Sequence, residues 1–137
     1  MAALTNDRNT RLRAGDVYDD PVAASTVIFA GALTCLNAAG NAVPGATATG
    51  LKARGVARSR VDNGGGDAGD KRVETSPGTY RFGNSASADA IGRGDIGATA
   101  YIVDDQTVAK TDGSSARSPA GTIVDVDDIG VWVRIGV

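Results

Sequence analysis

The sequence predicts an all-β protein, a small single-domain antiparallel β-barrel or sandwich, with an extended N-terminal arm over 1–21 and the β-domain over 22–137. Three observations predict it. The C-terminal third, 95–137, consists of short apolar runs separated by turn residues. It closes on period-two alternation, with Val131, Val133, Ile135 and Val137 on one side and Trp132, Arg134 and Gly136 on the other. Such alternation puts one face of a strand on a core and leaves the other free. Nineteen glycines in 137 residues are about twice the usual share, and they recur between β-branched runs as turn punctuation. Finally, strand and turn signals repeat at regular spacing from residue 22 onward, the pattern of a small barrel or sandwich.

Residues 1–21 are polar and charged around isolated apolar positions, without a clear period, so they read as an arm that frays or orders on a partner. The run "VAASTVIFAGALTCL", 22–36, is rich in β-branched residues and predicts a buried strand bent or bulged at Gly31. Asn37, Gly40, Asn41, Pro44 and Gly45 then turn the chain. Over 51–61, Gly55 and the flanking turns favour a strand. Lys52, Arg54, Arg58 and Arg60 share one parity and form its basic outer face, with Leu51, Ala53, Gly55, Ala57 and Ser59 inward. "DNGGGDAGD", 62–70, is a surface loop. "KRVETSPGTYRFGN" reads as a hairpin, because Pro77 and Gly78 suit the centre of a type II turn; Tyr80 and Phe82 share its core face and Arg81 points away. Ser87 is placed to cap a helical turn or two running to Ile91. Strands are predicted near 100–104, 107–110, 121–126 and 131–135, with Asp104-Asp105, Asp112-Gly113 and Asp127-Asp128 in the turns.

Composition narrows the chemistry. At 13.8 kDa the chain suits one domain. A net charge of −2 gives no global field for nucleic acid or an anionic membrane, so neither is expected as a partner. The opening "MAALTNDRNTRLRAGD" has no apolar signal region, and no run approaches a membrane span, so a soluble chain without a standard secretion signal is expected. The single Cys35 lies in an apolar run and reads as a small buried hydrophobe. With no histidine, the chain cannot build Ser-His-Asp, Cys-His or His-ligated zinc sites of its own, and one cysteine excludes Cys₄ centres. The aspartates of 62–70 lack the EF-hand spacing and a closing Glu, and no phosphate-cradling ending follows them. Asp104/Asp105 and Asp127/Asp128 are sequence neighbours, which on a strand would face opposite ways, wrong for a catalytic dyad and right for a turn. No cofactor, metal or catalytic set is expected, and the chain reads as a non-enzyme.

Two rivals stand beside that reading. "DIGATAYIVDD" loosely resembles the trimeric deoxyuridine triphosphatase family, which is all-β, of this size, and uses an aspartate near a tyrosine on a hairpin. That family's Gly-rich C-terminal motif with Arg and Phe is missing here. A tail or baseplate β-domain that contacts carbohydrate would want several exposed aromatics. Only Tyr18, Phe29, Tyr80, Phe82, Tyr101 and Trp132 exist, and most are assigned to the core.

The order "VIFAGALTCLNAAGNAVPG", "GVARSRVDNGGGDAGDKRVETSPGTYRFGNS", "DIGATAYIVDDQTVAK" and "AGTIVDVDDIGVWVRI" resembles the cement or head-decoration proteins of tailed bacteriophages. The resemblance covers about 22–135; each motif alone is a turn or an apolar run, and their order carries it. It implies a compact β-domain on the outer surface of the phage head, made in the host bacterial cytoplasm, commonly a homotrimer that clamps neighbouring major capsid protein subunits. On that reading Arg8, Arg11, Arg13 and Tyr18 of the arm are expected against the capsid or an adjacent subunit. Trp132 and Arg134, opposite the valine stripe, are candidates for the subunit interface, since Trp and Arg are favoured anchors. The alternative for Trp132 is a second core layer in a closed barrel.

Overall fold

The alternation at the C-terminus is a strand whose Val131, Val133 and Ile135 are completely buried, while Trp132 is half-buried and Arg134 exposed. The computed structural model describes residues 2–11, 13 and 15–136, so Val137, expected in the same stripe, lies outside the described residues. The first seven strands are β1 (Tyr18–Pro21), β2 (Thr26–Ile28), β3 (Leu33–Leu36), β4 (Ala42–Pro44), β5 (Lys52–Ala57), β6 (Val61–Asn63) and β7 (Arg72–Ser76). The remaining five are β8 (Gly78–Asn84), β9 (Thr99–Ile102), β10 (Thr107–Ala109), β11 (Pro119–Val126) and β12 (Val131–Ile135).

They form a five-stranded sheet in the order β1-β7-β5-β3-β4, a closed barrel in the order β10-β8-β12-β11-β9, and a two-stranded ribbon of β2 and β6. The pairings are antiparallel except for β10 beside β8. Closure removes the exposed edges that an open five-stranded sheet would present. The protein is therefore all-β, as the alternation and turn spacing predict.

Two apolar clusters organise the chain. The larger fills the barrel with Phe82, Ile102, Val108, Ile123, Val131, Val133 and Ile135, and it takes in Leu33 and Cys35 from the sheet. The smaller, with Val22, Ile28, Ala32, Ala42, Ala57 and Val73, lies under the ribbon. Sheet and barrel are also tied by hydrogen bonds: Leu33 N–H donates to Asp105 O at 2.8 Å, and Ser118 Oγ accepts from Leu51 N–H at 3.0 Å while donating to Ala48 O at 2.7 Å. At this seam Gly45 is required by close approach, because a Cβ there would stand 2.6 Å from Leu33 Cδ2 and 3.0 Å from Asp104 O.

The two clusters explain where the sequence reading fails. The run 22–36 is not one bent strand. Gly31, at φ +83°, sits in a tight turn closed by Ala32 N–H on Phe29 O, and it separates β2 from β3. Val22 and Ile28 serve the smaller cluster, Leu33 and Cys35 the larger. The hairpin around Pro77 does not form for the same reason. β7 buries Val73 in the smaller cluster and pairs with β1 and β5; β8 buries Phe82 in the barrel and pairs with β12 and β10. Pro77 is the crossing point between sheet and barrel. The expected helix is reduced to single 3-10 turns at Ser87–Asp89 and Arg93–Asp95, and Ser87, with φ +55°, does not cap. Gly92, Gly94 and Gly97 interrupt any longer helix.

The boundary at residue 21 also moves. Tyr18–Pro21 belongs to the sheet, paired with β7 from Tyr18↔Thr75 to Pro21↔Arg72. Every described residue from 2 to 16 is exposed, and this segment curls locally, with Thr10 N–H donating to Arg8 O at 3.0 Å. The arm thus ends before Tyr18 and is shorter than its composition suggests. It helps explain an accessible surface of 8031 Å², against about 6,600 Å² from the area scaling of compact chains of this mass.

Candidate interaction face

The outer surface of the barrel is assembled by register. β12 lies between β8 and β11, so Trp132 stands opposite Arg81 on one side and Asp125 on the other, and Arg134 stands between Thr79 and Thr122. Their inward neighbours Tyr80, Phe82, Val131 and Val133 pack in or against the barrel core. Trp132 is absent from both clusters and lies on the outer surface, not in a second core layer. A β-bulge between Ile123 and Asp125 leaves Val124 40% exposed. Gly97 N–H donates to Ile123 O at 2.8 Å, which brings the equally exposed Ile96 alongside. Arg93 Nη1 reaches Asp125 Oδ1 at 3.1 Å. Ile129, at the β11–β12 tip, is 72% exposed.

Trp132 is held rather than loose. Its indole N–H donates to Asp127 Oδ2 at 2.9 Å, and the Arg81 guanidinium lies 5.7 Å from the ring centroid. Asp127 Oδ1 also accepts from the backbone N–H groups of Ile129 and Gly130. The Trp132 hydrogen bond first, then those two backbone donors, holds the Asp127 carboxyl below the usual carboxylate range. An aromatic side chain already fixed in position gives up little freedom on binding. Trp and Arg set among exposed aliphatic residues have the composition of a protein-binding surface.

The other expected positions fall differently. Arg8, Arg11 and Arg13 are exposed on the arm. Tyr18 is not with them: it is half-buried in β1, its ring lies under Arg54 at 3.7 Å, and its hydroxyl donates to Gly136 O at 3.4 Å. Arg54 also makes a two-pronged ion pair with Asp20, which is 8% exposed. Tyr18 therefore fastens the sheet at the root of the arm and does not stand with the arm arginines. The basic stripe of β5 is partly neutralised, by Asp20 on Arg54 and by Glu74 on Arg58 at 3.6 Å. Gly55 and Ala57 are buried as expected, whereas Ser59 is exposed because the strand ends at Ala57.

The aspartates act as turn acceptors. Asp104 accepts from Gln106 N–H, Asp62 from Gly64 N–H and Asp70 from Asp67 N–H. Asp89 accepts from Thr111 and Arg117, in that order of effect, and its pKa is lowered by them. Among the described residues no three His, Cys, Asp or Glu side chains are grouped to hold a metal ion, and no helix is long and apolar enough to cross a membrane. Burial pushes the Cys35 thiol up to about 12.

Arg81, Arg93, Ile96, Val124 and Ile129 were not singled out for this face by the sequence reading. The alternation of β8 marks Arg81 as outward-facing. No local signal marks Val124, whose exposure depends on the bulge.

Fold and face together define a small all-β domain, one closed barrel with a flanking sheet, that presents a Trp- and Arg-bearing outer surface. No family model, curated protein or solved structure matches the chain.

Proposed function

We propose that this chain is a structural decoration, or cement, protein of a tailed-bacteriophage head. It binds the outer surface of the capsid as a homotrimer and holds neighbouring major capsid protein subunits together. The observation that carries the reading is the barrel face, where Asp125, Trp132 and Arg81 stand in one row, Val124 is exposed at the neighbouring bulge, and Arg134 lies two residues along the same strand. Its residue types suit protein–protein contact. The exposed arm with Arg8, Arg11 and Arg13 supports the reading as a second contact, and so does the order of segments that resembles the cement proteins. The absence of histidine from the chain removes the commonest general base from the rival enzyme reading.

The mechanism is additive. Trp132 and Arg134 meet a neighbouring copy and the arm lies on the shell, so each copy contributes two modest contacts. Copies linked across subunit seams raise one another's effective concentration, and strength comes from number. Binding to the closed arrangement of subunits stabilises that arrangement by mass action.

The test is heat resistance of filled heads stripped of this protein, read as release of packaged DNA. Adding the protein back is expected to raise the release temperature, and Trp132→Ala to remove most of the gain. Release at the same temperature with and without the protein would count against the reading.

A further inference from the structure

We propose that Asn63–Gly64 is a self-modification site of the unfolded chain: loss of ammonia there bars the chain from refolding, and the native turn withholds the reaction. The proposal is independent of the barrel face and of the capsid reading. Of the six asparagines in the chain, Asn63 alone precedes a glycine. The glycine matters because its backbone nitrogen is the nucleophile, and no Cβ screens it from the preceding side chain.

In the reaction, Gly64 N attacks Asn63 Cγ and a C–N bond forms. The proton of that nitrogen leaves with the side-chain amide nitrogen as ammonia, and a five-membered imide remains. Water then opens the imide. Opening at Cγ restores the backbone and leaves aspartate. Opening at the main-chain carbonyl leaves an isoaspartyl link, with the backbone routed through Cβ. Neither step oxidises or reduces anything.

The native turn opposes each part of this. Asn63 ends β6, pairs with Thr26 and is 3% exposed. Its Nδ2, the leaving group, donates to Ala23 O and to Asp67 O, both at 3.0 Å. Gly66 closes over Asn63 Oδ1, and an added Cβ would collide with that oxygen. The nucleophile is engaged too, since Gly64 N–H donates to Asp62 Oδ1 at 2.9 Å. Turning the amide onto Gly64 N therefore gives up both Nδ2 hydrogen bonds. Each is worth about a factor of five, so the native chain reacts about twentyfold or more slowly than the unfolded one.

The contacts that protect the amide also make its loss incompatible with the fold. A carboxylate at 63 has no N–H to donate. It would set a negative charge against the Ala23 and Asp67 carbonyl oxygens, and a buried charge facing acceptors is destabilising. An isoaspartyl link lengthens the backbone inside a turn where Gly66 N–H donates to Asn63 O and Ser25 N–H donates to Gly66 O. These bonds tie the segment between β1 and β2 to the glycine-rich loop, so damage at 63 reaches the ribbon over the smaller core.

The experiment ages the full chain in warm, mildly alkaline buffer with and without urea. Ammonia release is measured, and peptide mapping places it. Asn63 is expected to lose its amide about twentyfold or more faster in urea than in the native chain. After dilution from urea, chains changed at 63 are expected not to recover native Trp132 emission, and Asn63→Asp to show the same defect without ageing. Gly64→Ala separates this site from other damage. Its Cβ would stand 3.0 Å from the tip of the exposed Asp62 side chain, which can yield, and Gly64 is not at positive φ. The variant should fold, and its aged unfolded chain should refold more fully than the parent. Equal or faster loss in the native chain, the result if Asp62 acts as a base on Gly64 N, overturns the proposal. So does an Asn63→Asp chain that refolds with an unchanged midpoint, or an aged Gly64→Ala chain that refolds no better than the parent.

Discussion

Trp132 is the only tryptophan in the chain, so its emission reports on the barrel face without interference. Its indole is held by Asp127, whose carboxyl titrates below its ordinary value of 3.8. A lowered folded pKa contributes stability above the unfolded value, and that contribution is lost as pH falls through the folded one. Emission is therefore expected to stay constant from neutral pH down to about 3.8 and to change only below it. Asp127→Ala should show the acid-like spectrum already at neutral pH. Cys35 has the opposite sign. Its thiol is raised from 9.0 to about 12, so its contribution is complete below 9.0 and fades between 9.0 and about 12 as the unfolded chain ionises first. In the native protein the thiol should resist a disulfide reagent at mildly alkaline pH and react after denaturation. Rapid labelling of the native chain would contradict its burial.

At the scale of elements, the seam between β11 and β12 is the most tightly specified. Gly121 lies against the backbone of Arg134, and an added Cβ would collide with that carbonyl. Its φ is not in the left-handed region, so the penalty is one of packing alone. Gly121→Ala should destabilise by about 1–3 kcal/mol, read as a lower denaturation midpoint with an unchanged slope. β12 was legible in the sequence because one face is buried and the other is not, which prints a period of two on the residues. Tyr80 and Phe82 of β8 were legible for the same reason. The partner of β8 was not: Ser76-Pro77-Gly78 carries a hairpin signature, yet Val73 and Phe82 are drawn to different cores. Gly31 misled in the same way, since a glycine does not say whether a strand bends or ends. Of the candidate face, Trp132 and Arg134 could be read from alternation. Ile96 and Val124 could not, because their exposure depends on a bulge and on a long-range backbone bond.

At the scale of the whole molecule, the arm and the body separate cleanly. Residues 2–16 are exposed wherever they are described, whereas Tyr18 and Asp20 are fastened through Arg54. Removing 2–16 should leave the thermal midpoint of the isolated protein unchanged and weaken its hold on a head. A lowered midpoint would mean that the arm packs on the body. The most direct measurement is sedimentation of the purified protein with empty, expanded heads of tailed phages, over a range of protein concentration. The account predicts saturable co-sedimentation at a fixed ratio to major capsid protein subunits, weakened by Trp132→Ala and by replacing Arg8, Arg11 and Arg13 with alanine. Protein that stays in the supernatant at every concentration, while folded and stable on its own, would contradict it.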